Sequence, residues 1–225
     1  IKQMKSSGIL MLGVIPMKHI LAVSTTKLPI VLVDSPYSNL KYDHVLANNY
    51  QGTYEATELL LNHGHTHIGF VGSASYSFSF RERVRGFQDC ILERQNDTLK
   101  SFCITEKHDS FFIPFSREQF RQVMRSSERP TALVCANDIT AFLVYELLNE
   151  FNLKVPEDVS VIGFDNVPKS EWINPSLTTV NVPKTTMGQR AVDLLLKRIE
   201  NPDHCFEQVL LGTNIIRRNS VTQLK

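Results

Sequence analysis

Short apolar runs alternate with helix-type spacing of apolar residues along nearly the whole chain. Continuous apolar runs are typical of parallel strands, which are covered on both faces. They predict strands at residues 8–15, 30–34, 44–47, 67–72, 132–136 and 159–164. Apolar residues three and four positions apart predict helices at residues 51–63, 80–92, 116–126, 139–151 and 185–199. This alternation predicts a doubly wound α/β fold with mostly parallel sheets.

Polar residues follow several of the predicted strands, at the sheet edge where doubly wound folds bind their ligands. These are Asp34, the loop 73–79, the pair Asn137–Asp138, and Asp165. One member of the Asn137–Asp138 pair is also expected to cap the following helix, and this structural role alone could explain the pair.

The stretch 73–85 (SASYSFSFRERVR) combines serine hydroxyls with arginines just after a strand. Such donors suit a hydroxylated or anionic ligand, although a solvated helix start has a similar composition. Phe111, Phe112 and Trp172 are candidates for stacking on a sugar ring. The combination favours sugar binding without identifying a catalytic acid and base.

Composition and charge narrow the class of protein. The 225 residues are 42% hydrophobic and 21% charged, with a formal net charge of +1. These values are typical of a globular protein, and no apolar run approaches the roughly 18 residues of a membrane span. The near-neutral charge provides no global attraction to nucleic acid, so any binding to DNA would need a basic element outside these residues.

Other chemistries have weak support in the sequence. The histidines of HGHTH, residues 63–67, have no cysteine or carboxylate partner at metal-ligand spacing, and the four cysteines form no CxxC pair. There is no GxSxG, GxGxxG or GxxxxGK[ST] motif. We therefore predict no metal, no cofactor and no enzymatic activity, and four reduced cysteines in a cytoplasmic protein.

Eight ordered segments resemble the effector-binding core of the lactose/galactose repressor family, the LacI/GalR-type bacterial transcription regulators. The segments are IVLVD at 30–34, NYQG at 49–52 leading into ELLLNHGHTHIGFVG, RVRGF at 83–87, PTALVCAND at 130–138, VPEDVSVIGFDN at 155–166, PSLTTVNVP at 175–183, MGQRAVDLLLKRI, and LLGTNIIRRNSV near the end. Each segment is weak evidence alone, whereas their shared order over nearly the whole chain is specific.

This resemblance implies a two-lobed periplasmic-binding-protein-like fold, each lobe being a doubly wound sheet. The N-terminal lobe would comprise residues 1–47 and 183–213, and the C-terminal lobe residues 48–182 and 214–225. The helix-turn-helix DNA-binding domain of the family, and the first strands of its N-terminal lobe, have no counterpart in a chain that begins at Ile1. We therefore expect the chain to be a fragment of a longer regulator.

Ligand contacts also follow from the resemblance. Arg83, Asn137 and Asp165 match family positions that commonly bind the effector between the lobes, and Asp34 matches the acidic residue that closes a strand of the first lobe. Ser77 and Ser79 fall where some members place ligand hydroxyl contacts, and Phe111 or Phe112 would supply a stacking face. The chain departs from the family at Asn48, where many members have Asp.

The implied function is a ligand-responsive repressor of sugar-utilisation genes, acting as a cytoplasmic homodimer that binds operator DNA through the missing head. Residues 185–199 and 51–61 are candidate dimer surfaces, although the apolar stripe of the former equally suits a core. A periplasmic or lipoprotein sugar-binding protein with the same fold is the alternative, and an enzyme acting on sugars is a third class. A helix-turn-helix upstream would favour the first, and a signal peptide the second.

Overall fold

The computed structural model describes residues 6–35, 40–75, 77–94, 98–104 and 115–224. The chain divides into two compact units. Unit 1 comprises Ile1–Asn48 and Pro183–Gly212, and unit 2 comprises Asn49–Val182 and Thr213–Lys225. Within the described ranges, no helix is long and apolar enough to cross a membrane.

The predicted strands and helices occur in the predicted order, with six further elements among them in the described part of the chain. In chain order they are β1 (Ile9–Leu12), α1 (Met17–Ser24), β2 (Ile30–Val33), β3 (Asp43–Ala47), α2 (Asn49–Asn62), β4 (His67–Val71), α3 (Phe78–Glu93), β5 (Lys100–Ile104), α4 (Arg117–Arg125), β6 (Ala132–Cys135), α5 (Asp138–Glu150), β7 (Ser160–Asp165), α6 (Lys169–Trp172), β8 (Thr178–Asn181), α7 (Lys184–Glu200), β9 (Gln208–Leu211) and β10 (Asn214–Ile216). Every predicted strand and helix is present, with ends that differ by a few residues.

Unit 1 contains a parallel sheet in the order β1-β2-β3-β9. All residues of β2 and β3 are buried, whereas the edge strand β9 alternates between exposed and half-buried residues. Helix α7 packs on this sheet through Met187, Ala191 and Leu194. The predicted stripe of α7 is therefore partly core, as the alternative interpretation held, while Val192 and Leu196 on the same helix are exposed.

Unit 2 contains a six-stranded sheet in the order β10-β8-β7-β6-β4-β5, in which only the pair β10–β8 is antiparallel. Successive residues of β6 enter opposite cores. Leu133 and Cys135 pack with α4 and α5, while Ala132 and Val134 pack with α2 and α3. This burial on both faces explains the continuous apolar runs and confirms the doubly wound α/β fold.

The helix boundaries show which local signals operate. Gly64, which follows α2, has a φ of 85°, in the left-handed region where glycine avoids steric strain. Ser116 accepts a hydrogen bond from the Gln119 amide at the start of α4. The buried Gln119 side-chain oxygen has no hydrogen-bond partner among the described residues, so this cap lacks the reciprocal bond of a full capping box.

Candidate functional site

The Arg83 guanidinium lies at the centre of a polar cluster in unit 2. Its Nε donates to Asn49 Oδ1 at 2.8 Å, one terminal nitrogen donates to the Ala136 carbonyl at 2.5 Å, and the other donates to Asp165 Oδ1 at 3.1 Å. These partners come from the start of α2 and from the residues that end or follow β6 and β7. The cluster therefore occupies the carboxyl edge of the sheet, where the sequence predicted a ligand site.

Aromatic rings hold the flat face of the same guanidinium. The guanidinium carbon of Arg83, Cζ, lies 3.7 Å from the centre of the Phe164 ring and 5.5 Å from the centre of the Phe80 ring. Arg83 is 3% exposed, so stacking and hydrogen bonds together fix its orientation. These three bonds use three of its five N–H donors, which leaves two for an additional acceptor as far as the described part of the chain shows.

Asp165 is the more accessible member of the Arg83–Asp165 ion pair. Its side chain is 29% exposed, against 4% for Arg83. Both Asp165 and the next residue, Asn166, have positive φ, at 105° and 50°. Such conformations are uncommon for residues with a Cβ, and they turn the chain sharply at the end of β7. A carboxylate held by a buried arginine and reached by solvent can accept hydrogen bonds from ligand hydroxyl groups.

Asn137 is the N-cap of α5, which decides the open choice within the Asn137–Asp138 pair. Its Oδ1 accepts from the Thr140 amide at 2.8 Å and from the Thr140 hydroxyl at 2.7 Å. The side-chain NH₂ of Asn137 is the group that could donate to a ligand. A ligand contact by Asn137 stays a prediction.

Asp138 has a structural role that the sequence did not reveal. The fully buried carboxylate accepts from the Val167 amide at 2.8 Å, the Ser170 hydroxyl at 2.7 Å and the Thr179 hydroxyl at 2.5 Å. A Cβ at Gly163 would collide with this carboxylate, so the glycine of β7 leaves the space that Asp138 fills. Asp138 thereby fastens the chain after β7 to α5 and β8. Gly163, in the sequence VIGFD, was the one sign in the sequence that another group packs closely against β7.

The predicted serines lie at the start of α3. Ser77 is the N-cap, and its hydroxyl accepts from the Phe80 amide at 3.1 Å. Ser79 is buried in the first turn, and the Ser73 and Ser75 hydroxyls lie 2.9 Å apart. Ser77 therefore has a structural function of its own, and ligand contacts by Ser77 and Ser79 stay predictions.

The remaining predicted contacts are Asp34, Phe111 and Phe112. Asp34 belongs to unit 1, directly after β2, with a φ of 56° and its amide bonded to the Val45 carbonyl. Phe111 and Phe112 lie outside the described residues. Asn49, which the sequence analysis did not select as a site residue, is buried and bonds directly to Arg83.

The histidines of HGHTH have partners other than a metal. His63 Nδ1 lies 2.7 Å from the Leu59 carbonyl, and the two ring nitrogens of His65 lie 3.0 Å from the Thr131 hydroxyl and 3.1 Å from the Thr222 carbonyl. Burial lowers the pKa of His65. No group of three or more metal-ligating side chains occurs in the described ranges.

Three of the cysteine thiols are poor nucleophiles at neutral pH. Burial raises the pKa of Cys90 to about 12 and that of Cys103 to about 11, and it raises the pKa of Cys135 as well. A nucleophilic cysteine needs the opposite shift, because the thiolate is the reactive form. All four cysteines are free thiols.

Comparisons with known proteins agree with this architecture. Residues 57–221 match the family model described as periplasmic binding protein-like domain. The chain is 35% identical over 199 residues to the HTH-type transcriptional repressor PurR of Aliivibrio fischeri (strain ATCC 700601 / ES114). This match covers 88% of this chain and 58% of the repressor. It is 30% identical over 198 residues to the ribose operon repressor of Haemophilus influenzae, covering 88% of this chain and 59% of that protein.

Solved structures give the same result. A LacI family transcriptional regulator from Enterococcus faecalis V583, with bound ribose, superposes with a TM-score of 0.82 at 26% sequence identity. The match covers 99% of this chain and 80% of that one. The chain spans somewhat less than two thirds of the length of the curated repressors to which it is similar.

Proposed function

This chain belongs to the periplasmic binding protein-like domain family, in the form found in LacI-type regulators, and on that premise we propose that it is the effector-sensing region of a ligand-responsive transcription repressor. The observation that carries the proposal is the preorganised Arg83–Asp165 pair at the carboxyl edge of the sheet in unit 2. It offers a fixed donor beside an accessible acceptor. This arrangement suits a ligand with several hydroxyl groups, such as a sugar.

Similarity to other proteins supports the sugar. The Haemophilus influenzae relative is a ribose operon repressor, and the Enterococcus faecalis regulator holds ribose. We propose that the effector changes operator binding by favouring one conformation of the regulator. A ligand can shift such an equilibrium only by its difference in affinity for the two states.

The remaining parts of the proposal concern the whole regulator. Operator DNA would be bound by a helix-turn-helix region outside this chain, in the cytoplasm. A homodimer would match the twofold symmetry of an operator with paired half-sites. Sedimentation velocity at micromolar concentration is expected to give twice the protomer mass, and a purely monomeric protein would contradict the dimer.

Thermal unfolding with D-ribose, other pentoses, hexoses and nucleobases tests the ligand. At a concentration about 100 times Kd, a ligand that binds only the folded state stabilises it by about 2.7 kcal/mol. For a chain of this length, that corresponds to a rise in Tm of roughly 5 to 10 °C. Arg83→Ala is expected to abolish the rise.

Arg85→Ala is the matched control, because Arg85 lies on the same helix but its side chain is 63% exposed. Its contacts are two ion pairs at 3.7 Å and the face of the Tyr50 ring at 5.2 Å, and none of them involves Asp165. Asp165→Asn keeps the size of the side chain and tests the site if Arg83→Ala does not fold. The proposal is wrong if no compound raises the Tm of the wild-type protein, or if Arg83→Ala and Asp165→Asn both keep the full rise.

We further propose that the bound compound is not converted. NMR of D-ribose incubated with the protein is expected to show the unchanged sugar, and turnover would favour the enzyme class. The alternative of a transporter-associated binding protein predicts a signal peptide in the upstream coding sequence, whereas our proposal predicts a helix-turn-helix there.

A further inference from the structure

A row of three side chains crosses the sheet of unit 2 at the end of β7. In the strand register, Asp165 of β7 faces Asn181 of β8, and Asn181 faces Asn214 of β10. Asn181 is therefore the central residue of the row. Asp165 is the partly exposed carboxylate of the candidate ligand site, so the row begins at that site.

The amide row is formed by Asn166, which follows Asp165, together with Asn181 and Asn214, and the three side chains are hydrogen-bonded head to tail. Asn166 Nδ2 donates to Asn181 Oδ1 at 3.0 Å, and Asn181 Nδ2 donates to Asn214 Oδ1 at 3.1 Å. Arg218 donates from one terminal nitrogen to Asn166 Oδ1 at 2.8 Å and from the other to the Leu177 carbonyl at 2.8 Å. Each link polarises the next, because Asn166 and Asn181 both accept and donate.

The first link is tied rigidly to the candidate ligand site. Asn166 follows Asp165 directly, and the two share the left-handed turn at the end of β7. The Asn166 amide donates to the Thr179 hydroxyl at 3.3 Å, and that hydroxyl donates to Asp138. A shift of the Asp165 carboxylate therefore moves the Asn166 side chain as well.

The other links stand where the chain passes between the units. Asn181 is followed by Val182, after which the chain enters unit 1 at Pro183. The chain returns at Thr213, directly before Asn214. Both passages are thus attached to the same amide row, one through Asn181 and the other through Asn214.

We propose that Asn181 is a positioning residue that couples the Asp165–Asn166 turn to both of these passages. The biological meaning of the coupling rests on the proposed function, in which Asp165 contacts the effector. The coupling itself is measured without any ligand, so the two proposals can fail separately. Asn181 bonds to both Asn166 and Asn214, so removal of its side-chain amide should cut this link between them.

A double-mutant cycle tests this coupling through hydrogen exchange of the Val182 and Thr213 amides, measured by NMR. Asn166→Ala is expected to accelerate their exchange by roughly 3- to 10-fold in the wild-type background. In an Asn181→Ala background, the same replacement should add less than about 2-fold, since the link is already cut.

Asn219→Ala is the control, because Asn219 is an exposed asparagine of unit 2 outside the row. It should leave both amides unchanged, and the amides of Leu133 in β6 should keep their exchange rates in every variant. Equal effects of Asn166→Ala in the two backgrounds would overturn the proposal, as would equal acceleration by Asn219→Ala or acceleration at Leu133. Absence of D-ribose binding would count against the proposed function only, because the cycle uses no ligand.

Discussion

Replacement of Arg198 by methionine should destabilise unit 1, because Arg198 forms a buried bidentate ion pair with Asp43. Arg198 Nε lies 2.9 Å from Asp43 Oδ2, and Nη2 lies 3.0 Å from Oδ1. The two side chains are 8% and 2% exposed. The guanidinium also donates to the carbonyls of Pro202, His204 and Cys205. One side chain thus joins α7, β3 and the loop before β9.

The expected loss in the free energy of unfolding comes from the Asp43 carboxylate, which stays buried without its partner. Removal of one partner of a buried pair costs about 3 to 5 kcal/mol, because the other charge loses its compensation. We expect about 3 kcal/mol, the lower end, since Pro202 and Cys205 are exposed and water can approach Asp43 once Arg198 is gone. Asp43 also keeps one hydrogen bond, from the Glu207 amide at 2.8 Å.

Urea unfolding followed by circular dichroism measures this loss. Arg190→Met is the matched control on the same helix, because Arg190 is half exposed and its nearest carboxylate oxygen, on Asp193, is 3.5 Å away. That variant should cost less than about 0.5 kcal/mol. Asp43→Asn combined with Arg198→Met should be more stable than Arg198→Met alone, since no buried charge remains. Equal losses for Arg198→Met and Arg190→Met would refute the reasoning.

Two further predictions concern packing and pH. Gly86→Ala should lower the free energy of unfolding by about 1 to 3 kcal/mol, because a Cβ on α3 would collide with the Tyr50 carbonyl on α2. A Cβ at Gly188 on α7 would meet nothing within 4 Å, so Gly188→Ala should raise the free energy of unfolding by up to about 1 kcal/mol. The packing argument is contradicted if Gly86→Ala and Gly188→Ala change the Tm by the same amount in the same direction. Burial lowers the pKa of His65 from 6.5, so the unfolded state binds its proton first as the pH falls. The free energy of unfolding should therefore decrease from pH 7 to pH 5, and less so in His65→Gln; an unchanged slope in urea unfolding would contradict the role of His65.

Periodicity was sufficient for buried elements rich in apolar residues, but it missed the buried strand β8, whose sequence TTVN contains only one of them. β6 has a continuous apolar run and α5 has apolar residues at helical spacing. The ends of both elements were predicted to within one residue. β5 and β9 were missed because edge strands bury only one side, so their sequences lack a continuous apolar run. α1 was missed because eight residues are too few to establish a helical period.

The site was predictable by residue type and strand position, but its pairing was not. Arg83 and Asp165 are distant in sequence, and only the strand order brings them within 3.1 Å. Asn137 and Asp138 are neighbours with similar side chains, and backbone geometry decides that the first caps α5 while the second enters the core. Asn49 was missed because a polar residue at a helix start is ordinarily explained by capping.

The parallel pairing of β3 with β9 has a consequence for how the protein is made. The whole of the Asn49–Val182 stretch lies between these two neighbouring strands. During synthesis from the N-terminus, β3 cannot pair with β9 until the chain has been made as far as residue 211. When Val182 has been made, unit 2 lacks only its edge strand β10 and the residues that follow it. Closing such a long loop is slow, so nascent unit 1 exposes the unpaired edge of β3 for longer than any edge in unit 2. Chaperone dependence and aggregation during expression should therefore originate in unit 1.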